Sequence, residues 1–162
     1  MEKEQLSAYK KTERLLYSIP KFEQIVEEKK AFISQLEEHG IPKKSKDIIR
    51  FFSNSGTIER QSDAELAEAE IARLAAEIVA LEYRIHLVYE AVETVRDDKY
   101  FDVIPLYYWE RKSLDALADE MCMQFGLETL KPSTVSKNKT RLVNKIKTQL
   151  FPVDDIEELF TS

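Results

Sequence analysis

Glycine is scarce in this chain, with three residues in a sequence of 162. An average composition would contain about 11, at roughly 7% of residues. Tight turns between strands depend on glycine, because glycine adopts positive φ angles at little steric cost. The shortage of glycine therefore argues against a β-sandwich or a β-barrel, and it predicts an all-α chain with few connections.

Cysteine and histidine are also rare, since the chain contains only Cys122, His39 and His86. One cysteine cannot close an internal disulfide, which fits a reducing cytosol, and the three side chains lack the spacing of a zinc site. The sequence contains no glycine-rich phosphate loop and no nucleophile motif. We therefore expect no enzymatic activity, no metal and no cofactor.

Long apolar runs are missing as well. No stretch approaches the roughly 20 residues that a membrane span needs. The N-terminal residues alternate charged and apolar side chains, and they lack the apolar segment of a signal peptide. The sequence therefore predicts a cytoplasmic protein without a membrane partner.

Helical periodicity predicts two helices in the first part of the chain. The first runs from about Glu4 to Ser18, and Pro20 is expected to end it. The second runs from Pro20 to His39, with Gly40 as its C-terminal stop. The stretch from Ile41 to Gly56 is mixed in character. It contains a basic cluster, Lys43, Lys44 and Lys46. A solvated loop is the favoured interpretation of this cluster, and contact with DNA or polymerase is the alternative.

The third predicted helix, from Ser62 to Arg96, has the clearest periodicity. Ser62 and Glu65 form a capping-box pattern at its start. Apolar residues then recur at alternating spacings of four and three, which specifies a seam that faces another helix. Such a coiled-coil-type helix would be roughly 50 Å long. The seam residues expected to mediate association are Ile71, Leu74, Ile78, Leu81, Ile85, Val88 and Val92.

Two interpretations of this seam remain open. It can pack against the predicted 20–39 helix as an N-terminal helical hairpin, or it can form a homo-oligomer through residues 67–95. The shorter helix would cover little more than half of the seam, which favours some self-association. His86 lies beside the seam residue Ile85 and is expected to be a packing residue rather than a ligand.

The charge of the chain is unevenly distributed. The net charge is −6, yet residues 131–151 contain six basic residues and no acidic one. This asymmetry is typical of a nucleic-acid surface. We predict a helical interaction region over residues 1–96, a DNA-binding domain over 97–151 and an acidic tail over 152–162.

The C-terminal third also has clear local signals. Ser113 is a good N-cap for a short helix, Gly126 breaks that helix, and Pro132 begins a last helix that ends before Pro152. Aromatic residues at helical spacing are more often core residues than platforms for bases. Those expected in the core are Tyr100, Phe101, Tyr107, Tyr108 and Trp109.

The last predicted helix is amphipathic. Val135, Leu142 and Ile146 lie along one face, and polar or basic residues lie mainly on the other. A recognition helix needs this division, because one face packs on its domain and the other contacts base edges and phosphates. The alternative is a solvated helix whose lysines only improve solubility. The residues predicted to contact DNA are Ser133, Thr134, Ser136, Lys137, Lys139, Thr140, Arg141 and Lys145.

Three successive segments, Ile104–Lys112, Ser113–Ala118 and Pro132–Val143, carry a family pattern. They resemble the aromatic helix, the S/T-[LE]-x-x-[IL]-A helix and the recognition helix of region 4 of bacterial sigma factors. The resemblance implies a helix-turn-helix domain that binds double-stranded DNA. The turn is longer here than in the family pattern, since Ala118 and Val135 are 17 residues apart. The additional apolar residues expected to pack on the core are Phe125, Leu127 and Leu130.

The segments Tyr9–Tyr17, Gly40–Lys46 and Lys139–Phe151, together with the heptad helix, extend the pattern over nearly the whole chain. In this order they resemble the ArpU/RinA-like family of phage late transcription regulators. The resemblance implies a sequence-specific regulator that activates phage or prophage late genes. Two modes of activation stay open, namely contact with host RNA polymerase, as a sigma factor makes, and action as an independent dimer. The alternative hypothesis is a coiled-coil phage assembly or DNA-packaging adaptor that depends on the 67–95 seam.

Overall fold

A computed structural model of the protein describes residues 6–41 and 62–153, and the helices among them begin and end close to local sequence signals. The all-α prediction is confirmed, because these residues form helices and turns and no strand. The predicted Lys43, Lys44 and Lys46 cluster lies outside the described residues. The helices are α1 (Ala8–His39), α2 (Asp63–Glu93), a π-helical segment (Pro105–Trp109), α3 (Leu114–Phe125) and α4 (Pro132–Leu150).

Helix α1 continues through Pro20, so the prediction of two helices separated at this residue is wrong. A proline inside a helix lacks the N–H that would bond to the carbonyl four residues earlier, here that of Leu16. That carbonyl has another partner, because the indole Nε1–H of Trp109 donates to Leu16 O at 3.1 Å. A distant side chain thus satisfies the acceptor that Pro20 leaves free.

The chain divides into two compact units. The terminal unit contains residues 6–20 and 85–153, and the central unit contains residues 21–41 and 62–84. This division differs from the predicted boundary at residue 96. The first part of α1 and the end of α2 belong with the C-terminal helices, because their apolar residues are buried in the same unit.

In the central unit, the second part of α1 packs against the first part of α2. Leu36, Ile41, Leu66 and Leu74 form its buried core, with Ile71 packed against them. Lys29 pairs with Glu77 at 2.5 Å, and Lys30 pairs with Glu82 at 3.0 Å. Leu74 and Ile78 of the predicted oligomer seam are therefore buried within the chain.

The predicted capping box is confirmed, since Glu65 N–H donates to Ser62 Oγ and Ser62 N–H donates to the Glu65 carboxylate.

In the terminal unit, buried apolar residues come from α1, α2, the connection after α2, the π-helical segment, α3 and α4. Leu16 and Ile19 come from α1, and Tyr108 comes from the π-helical segment. Turns over residues 94–102 and a helical stretch at 103–104 connect α2 to that segment, through hydrogen bonds between residues three apart. The remaining fully or nearly fully buried residues include Val88, Val92, Val95, Val103, Ile104, Leu117, Met121, Val135, Leu142, Val143 and Ile146.

Two seam residues, Leu81 and Ile85, are partly buried rather than exposed. The prediction that His86 packs beside them is wrong, because its side chain is exposed and lies 3.0 Å from Glu90. His86 follows the seam residue Ile85 by one position, a rotation of about 100° around the helix axis, so its side chain points away from the seam. None of the helices within residues 6–41 and 62–153 is long and apolar enough to cross a membrane.

Candidate nucleic-acid interface

Helix α3 begins and ends at the predicted residues. The Ser113 side chain accepts a hydrogen bond from Ala116 N–H at 3.2 Å, as an N-cap does. Gly126 ends the helix in the left-handed conformation, with φ of 65°, which a residue with a Cβ adopts at a cost. Both signals are confirmed. They fix the ends of the short helix that precedes α4.

The turn from Gly126 to Lys131 is held by a few local contacts. Phe125 and Leu130 pack against the core of the terminal unit, as expected. The same expectation is wrong for Leu127, which is 44% exposed. The Leu127 carbonyl instead accepts a hydrogen bond from Cys122 Sγ at 3.0 Å. The turn then leads into Pro132 at the first position of α4, where a missing N–H has no cost.

Helix α4 divides into a buried apolar face and an exposed polar face. Val135, Leu142, Val143 and Ile146 are fully buried. The opposite face carries exposed Ser133, Lys137, Thr140, Arg141, Asn144 and Lys145, and no acidic residue occurs between 132 and 150. Of the other residues predicted to contact DNA, Thr134 and Ser136 are partly buried, and Lys139 is buried.

Lys139 does not lie on the exposed face, contrary to its predicted contact with DNA. Its side chain contacts the aromatic core, with Nζ 4.4 Å from the centroid of the Tyr107 ring and 3.9 Å from Glu13 Oε2. The helical period explains this, because position 139 is four residues after Val135 and three before Leu142, which are both buried. The apolar stem of the lysine fills core space, while its ammonium group finds a cation–π partner and a carboxylate.

The predicted aromatic core is confirmed at its centre. Tyr108 is fully buried, and its hydroxyl donates to Glu13 Oε2 at 2.8 Å. Burial raises the pKa of Tyr108 well above its usual range, and the nearby Glu13 carboxylate raises it further. Tyr17 packs edge-on against the Tyr108 ring at 4.7 Å between centroids. These contacts join α1 to the core on which α4 packs.

Arg141 lies on the exposed face, but its guanidinium is already bound. Its Nη1 and Nη2 groups donate to Asp98 Oδ2 and Oδ1 at 2.6 and 2.9 Å. Its Nε and Nη2 groups also donate to Asn138 Oδ1. Asp98 accepts a further hydrogen bond from Tyr100 N–H at 2.9 Å. Asp98 was not among the predicted site residues, because a pair separated by 43 residues has no local signal in the sequence.

The ion pair between Asp98 and Arg141 predicts how the stability of the protein changes at acidic pH. Hydrogen bonds from Arg141 and, less strongly, from Tyr100 N–H lower the Asp98 pKa to about 2, below the usual value near 3.9. A lowered folded-state pKa gives stability that is present above pH ~4 and is lost as the pH falls towards about 2. We expect this contribution to be about 1–2 kcal/mol, since solvent around Arg141 weakens the pair.

Urea unfolding between pH 5 and pH 2 would measure this dependence. In the wild-type chain, the free energy of unfolding is expected to fall as the pH drops below ~4. Asp98→Asn is expected to remove the part of this fall that Asp98 causes. Asp97→Asn is the matched control, because Asp97 is an exposed neighbour of the same charge. Equal pH dependence in the two variants would contradict the assignment.

Three exposed cations remain on or beside α4. They are Lys131 at the N-cap, Lys137 on the exposed face and Lys145 further along the helix. Lys131 was not among the predicted site residues, although it belongs to the basic segment.

No group of metal-ligating side chains occurs in the part of the chain that the structure describes. The chain matches no family model, and neither a curated protein nor a solved structure matches it.

Proposed function

We propose that this protein is a sequence-specific DNA-binding transcription regulator whose helix α4 enters the major groove. The observation that carries the proposal is the exposed face of α4, which is polar, cationic and free of acidic residues while its opposite face is fully buried. A helix of this kind can present short polar side chains to base edges and cations to phosphates. Two further features support the proposal, the preceding short helix α3 and the turn of residues 126–131.

The distribution of side chains along α4 assigns roles within this proposal. Ser133, Ser136 and Lys137 lie near its N-terminus, the end that reads base edges in helix-turn-helix proteins. Lys131, Lys137 and Lys145 are the exposed cations available to phosphates. If all three contact phosphates, the slope of log affinity against log salt is about −2.7. Lys139 acts as a core residue and contributes nothing to this slope.

The biological role is proposed from the resemblance described above. The sigma-region-4-like pattern of residues 104–143 and the wider ArpU/RinA-like pattern support activation of phage or prophage late genes. The same resemblance supports host RNA polymerase as a second partner and the cytoplasm as the location. We include a homo-oligomer in the proposal, because many regulators of this kind bind two half-sites as dimers.

Removing two of these cations tests the proposal. A random-pool selection with the purified chain first supplies a duplex that it binds. Lys137→Ala and Lys145→Ala are each expected to make the salt slope shallower by about 0.9, and both should weaken binding to all sequences. The measurement is fluorescence anisotropy over a series of KCl concentrations.

Lys21→Ala is the control for this experiment, because Lys21 is an exposed helical lysine of the central unit. It removes the same charge and should leave the slope unchanged. Two results would show that α4 does not bind DNA. One is a selection that enriches no sequence, and the other is a salt slope that is the same in the wild-type chain and in both α4 variants.

One observation favours a second candidate function, the coiled-coil assembly or DNA-packaging adaptor. Val79 and Tyr83 on α2 are 66% and 62% exposed, although the predicted seam at Leu74 and Ile78 is buried in the central unit. An apolar stripe at a spacing of four residues suits contact with another helix. Failure of the DNA selection, together with an oligomer that Tyr83→Ser dissociates, would favour this candidate.

A further inference from the structure

The state of Arg141 differs from that of the other cations on the exposed face of α4. A guanidinium has five N–H donors, and the hydrogen bonds to Asp98 and Asn138 involve Nε, Nη1 and Nη2. The bond to Asp98 uses two parallel N–H groups and both carboxylate oxygens. An arginine binds a phosphate with the same forked geometry. Asp98 therefore accepts hydrogen bonds from the same N–H groups that would bind a phosphate.

The Asp98 side chain is fixed by hydrogen bonds and by its partial burial. Its side chain is 17% exposed, and Oδ1 accepts the backbone N–H of Tyr100 as well as Arg141. It belongs to the turns of residues 94–102, which are closed by hydrogen bonds from Asp98 N–H to Val95 O and from Phe101 N–H to Asp98 O. The carboxylate is therefore fixed before any nucleic acid arrives, and Arg141 is 41% exposed beside it.

We propose that Asp98 takes the place of a DNA phosphate as the partner of Arg141. Asp98 thereby keeps Arg141 from contacting phosphates and limits the affinity for DNA of arbitrary sequence. This inference rests on the proposed DNA-binding function. Binding to arbitrary sequences depends on phosphate neutralisation and counterion release. Arg141 contributes nothing to that release while Asp98 neutralises it. Moving Arg141 to a phosphate would leave the Asp98 carboxylate, beside polyanionic DNA, with only the Tyr100 N–H as a donor and Lys145 as a neighbouring positive charge. The exchange therefore gains nothing on a non-cognate site.

The test compares two neighbouring aspartates in the full chain. Asp98→Asn and Asp97→Asn change the net charge equally, but only the first releases Arg141. On a mixed-sequence DNA duplex, Asp98→Asn is expected to steepen the salt slope by about 0.9. That change corresponds to roughly eightfold tighter binding at 0.1 M KCl. Asp97→Asn is expected to leave the slope unchanged and to shift the affinity less.

Arg141→Gln identifies the released group. In the Asp98→Asn background it is expected to restore the wild-type slope, and in the wild-type background it should leave the slope unchanged. The inference is overturned if the two aspartate variants have the same slope, or if Arg141→Gln alone makes the wild-type slope shallower by about 0.9. If circular dichroism shows that Asp98→Asn is unfolded, the Arg141→Gln result in the wild-type chain decides the question.

The failure of this inference can be told apart from the failure of the proposed function. Salt-dependent binding by the wild-type chain, with no difference between Asp98→Asn and Asp97→Asn, overturns the role of Asp98 alone. If the wild-type chain binds no duplex at any salt concentration, both proposals are overturned.

Discussion

A fragment containing only residues 97–162 is expected to show no cooperative unfolding transition. The sequence predicts a domain that begins at residue 97, but the structure buries Leu16 and Ile19 of α1 in the same unit as the C-terminal helices. Each buried aliphatic side chain of this size contributes about 2–5 kcal/mol when it is compared with alanine. A domain has only about 5–15 kcal/mol of stability in total. Removal of α1 therefore costs more than the fragment can supply.

Hydrogen bonds lost with α1 add to this cost. Tyr108 is fully buried, and its hydroxyl has Glu13 as its partner. Trp109 donates to the Leu16 carbonyl. Both hydrogen bonds would be lost in the fragment, and each contributes about 0.5–1.5 kcal/mol to stability. Thermal unfolding followed by circular dichroism, with the full chain beside the fragment, is the measurement.

Two leucines adjacent in the sequence provide a point-mutation version of the same experiment. Leu16 is fully buried, whereas Leu15 is only partly buried. Leu16→Ala in the full chain is expected to lower the free energy of unfolding by about 2–5 kcal/mol, and Leu15→Ala by clearly less. A fragment that unfolds cooperatively, or equal effects at the two positions, would show that α1 is not part of this core.

The helix ends show how far local sequence signals reach. Ser62, Ser113 and Gly126 were assigned from residue type and position, and each has the predicted role. Caps can be predicted in this way because they satisfy backbone groups within one turn of the same chain. The buried face of α4 was also predictable, since Val135, Leu142 and Ile146 recur at the helical period.

Contacts between distant segments were not predictable in this way. Lys139 was assigned to DNA because of its charge, although its position between Val135 and Leu142 was a signal that it faces the core. Arg141 was also assigned to DNA, and no local pattern indicates that Asp98 binds it. Two of the cations predicted to contact DNA, Lys139 and Arg141, are therefore bound within the chain.

Pro20 is the clearest case of a local rule that a distant residue overrides. A proline inside a helix removes a hydrogen bond and crowds the carbonyl four residues earlier, which costs about 3 kcal/mol. The sequence alone therefore predicts that the helix ends there. Trp109, 93 residues from Leu16, donates to the freed carbonyl and removes part of that cost.

Pro20→Ala is accordingly expected to raise the free energy of unfolding by about 1–2 kcal/mol, measured by urea unfolding of the full chain. Alanine restores an N–H for the Leu16 carbonyl and removes the clash with the proline ring. The gain is smaller than the full cost of a helical proline, because Trp109 already satisfies the carbonyl and because alanine makes the unfolded chain more flexible. Pro20 is exposed, so the change leaves the core intact.

Trp109→Phe connects the two residues in a double-mutant cycle. In the wild-type chain this change leaves the Leu16 carbonyl without a donor, and we expect a loss of about 1–3 kcal/mol. In the Pro20→Ala background the restored N–H supplies that donor, so the same change should cost about 1 kcal/mol less. Pro132→Ala is the control, because Pro132 occupies the first position of α4, where proline is favourable. Equal costs of Trp109→Phe in both backgrounds would mean that the indole does not replace the hydrogen bond that Pro20 removes.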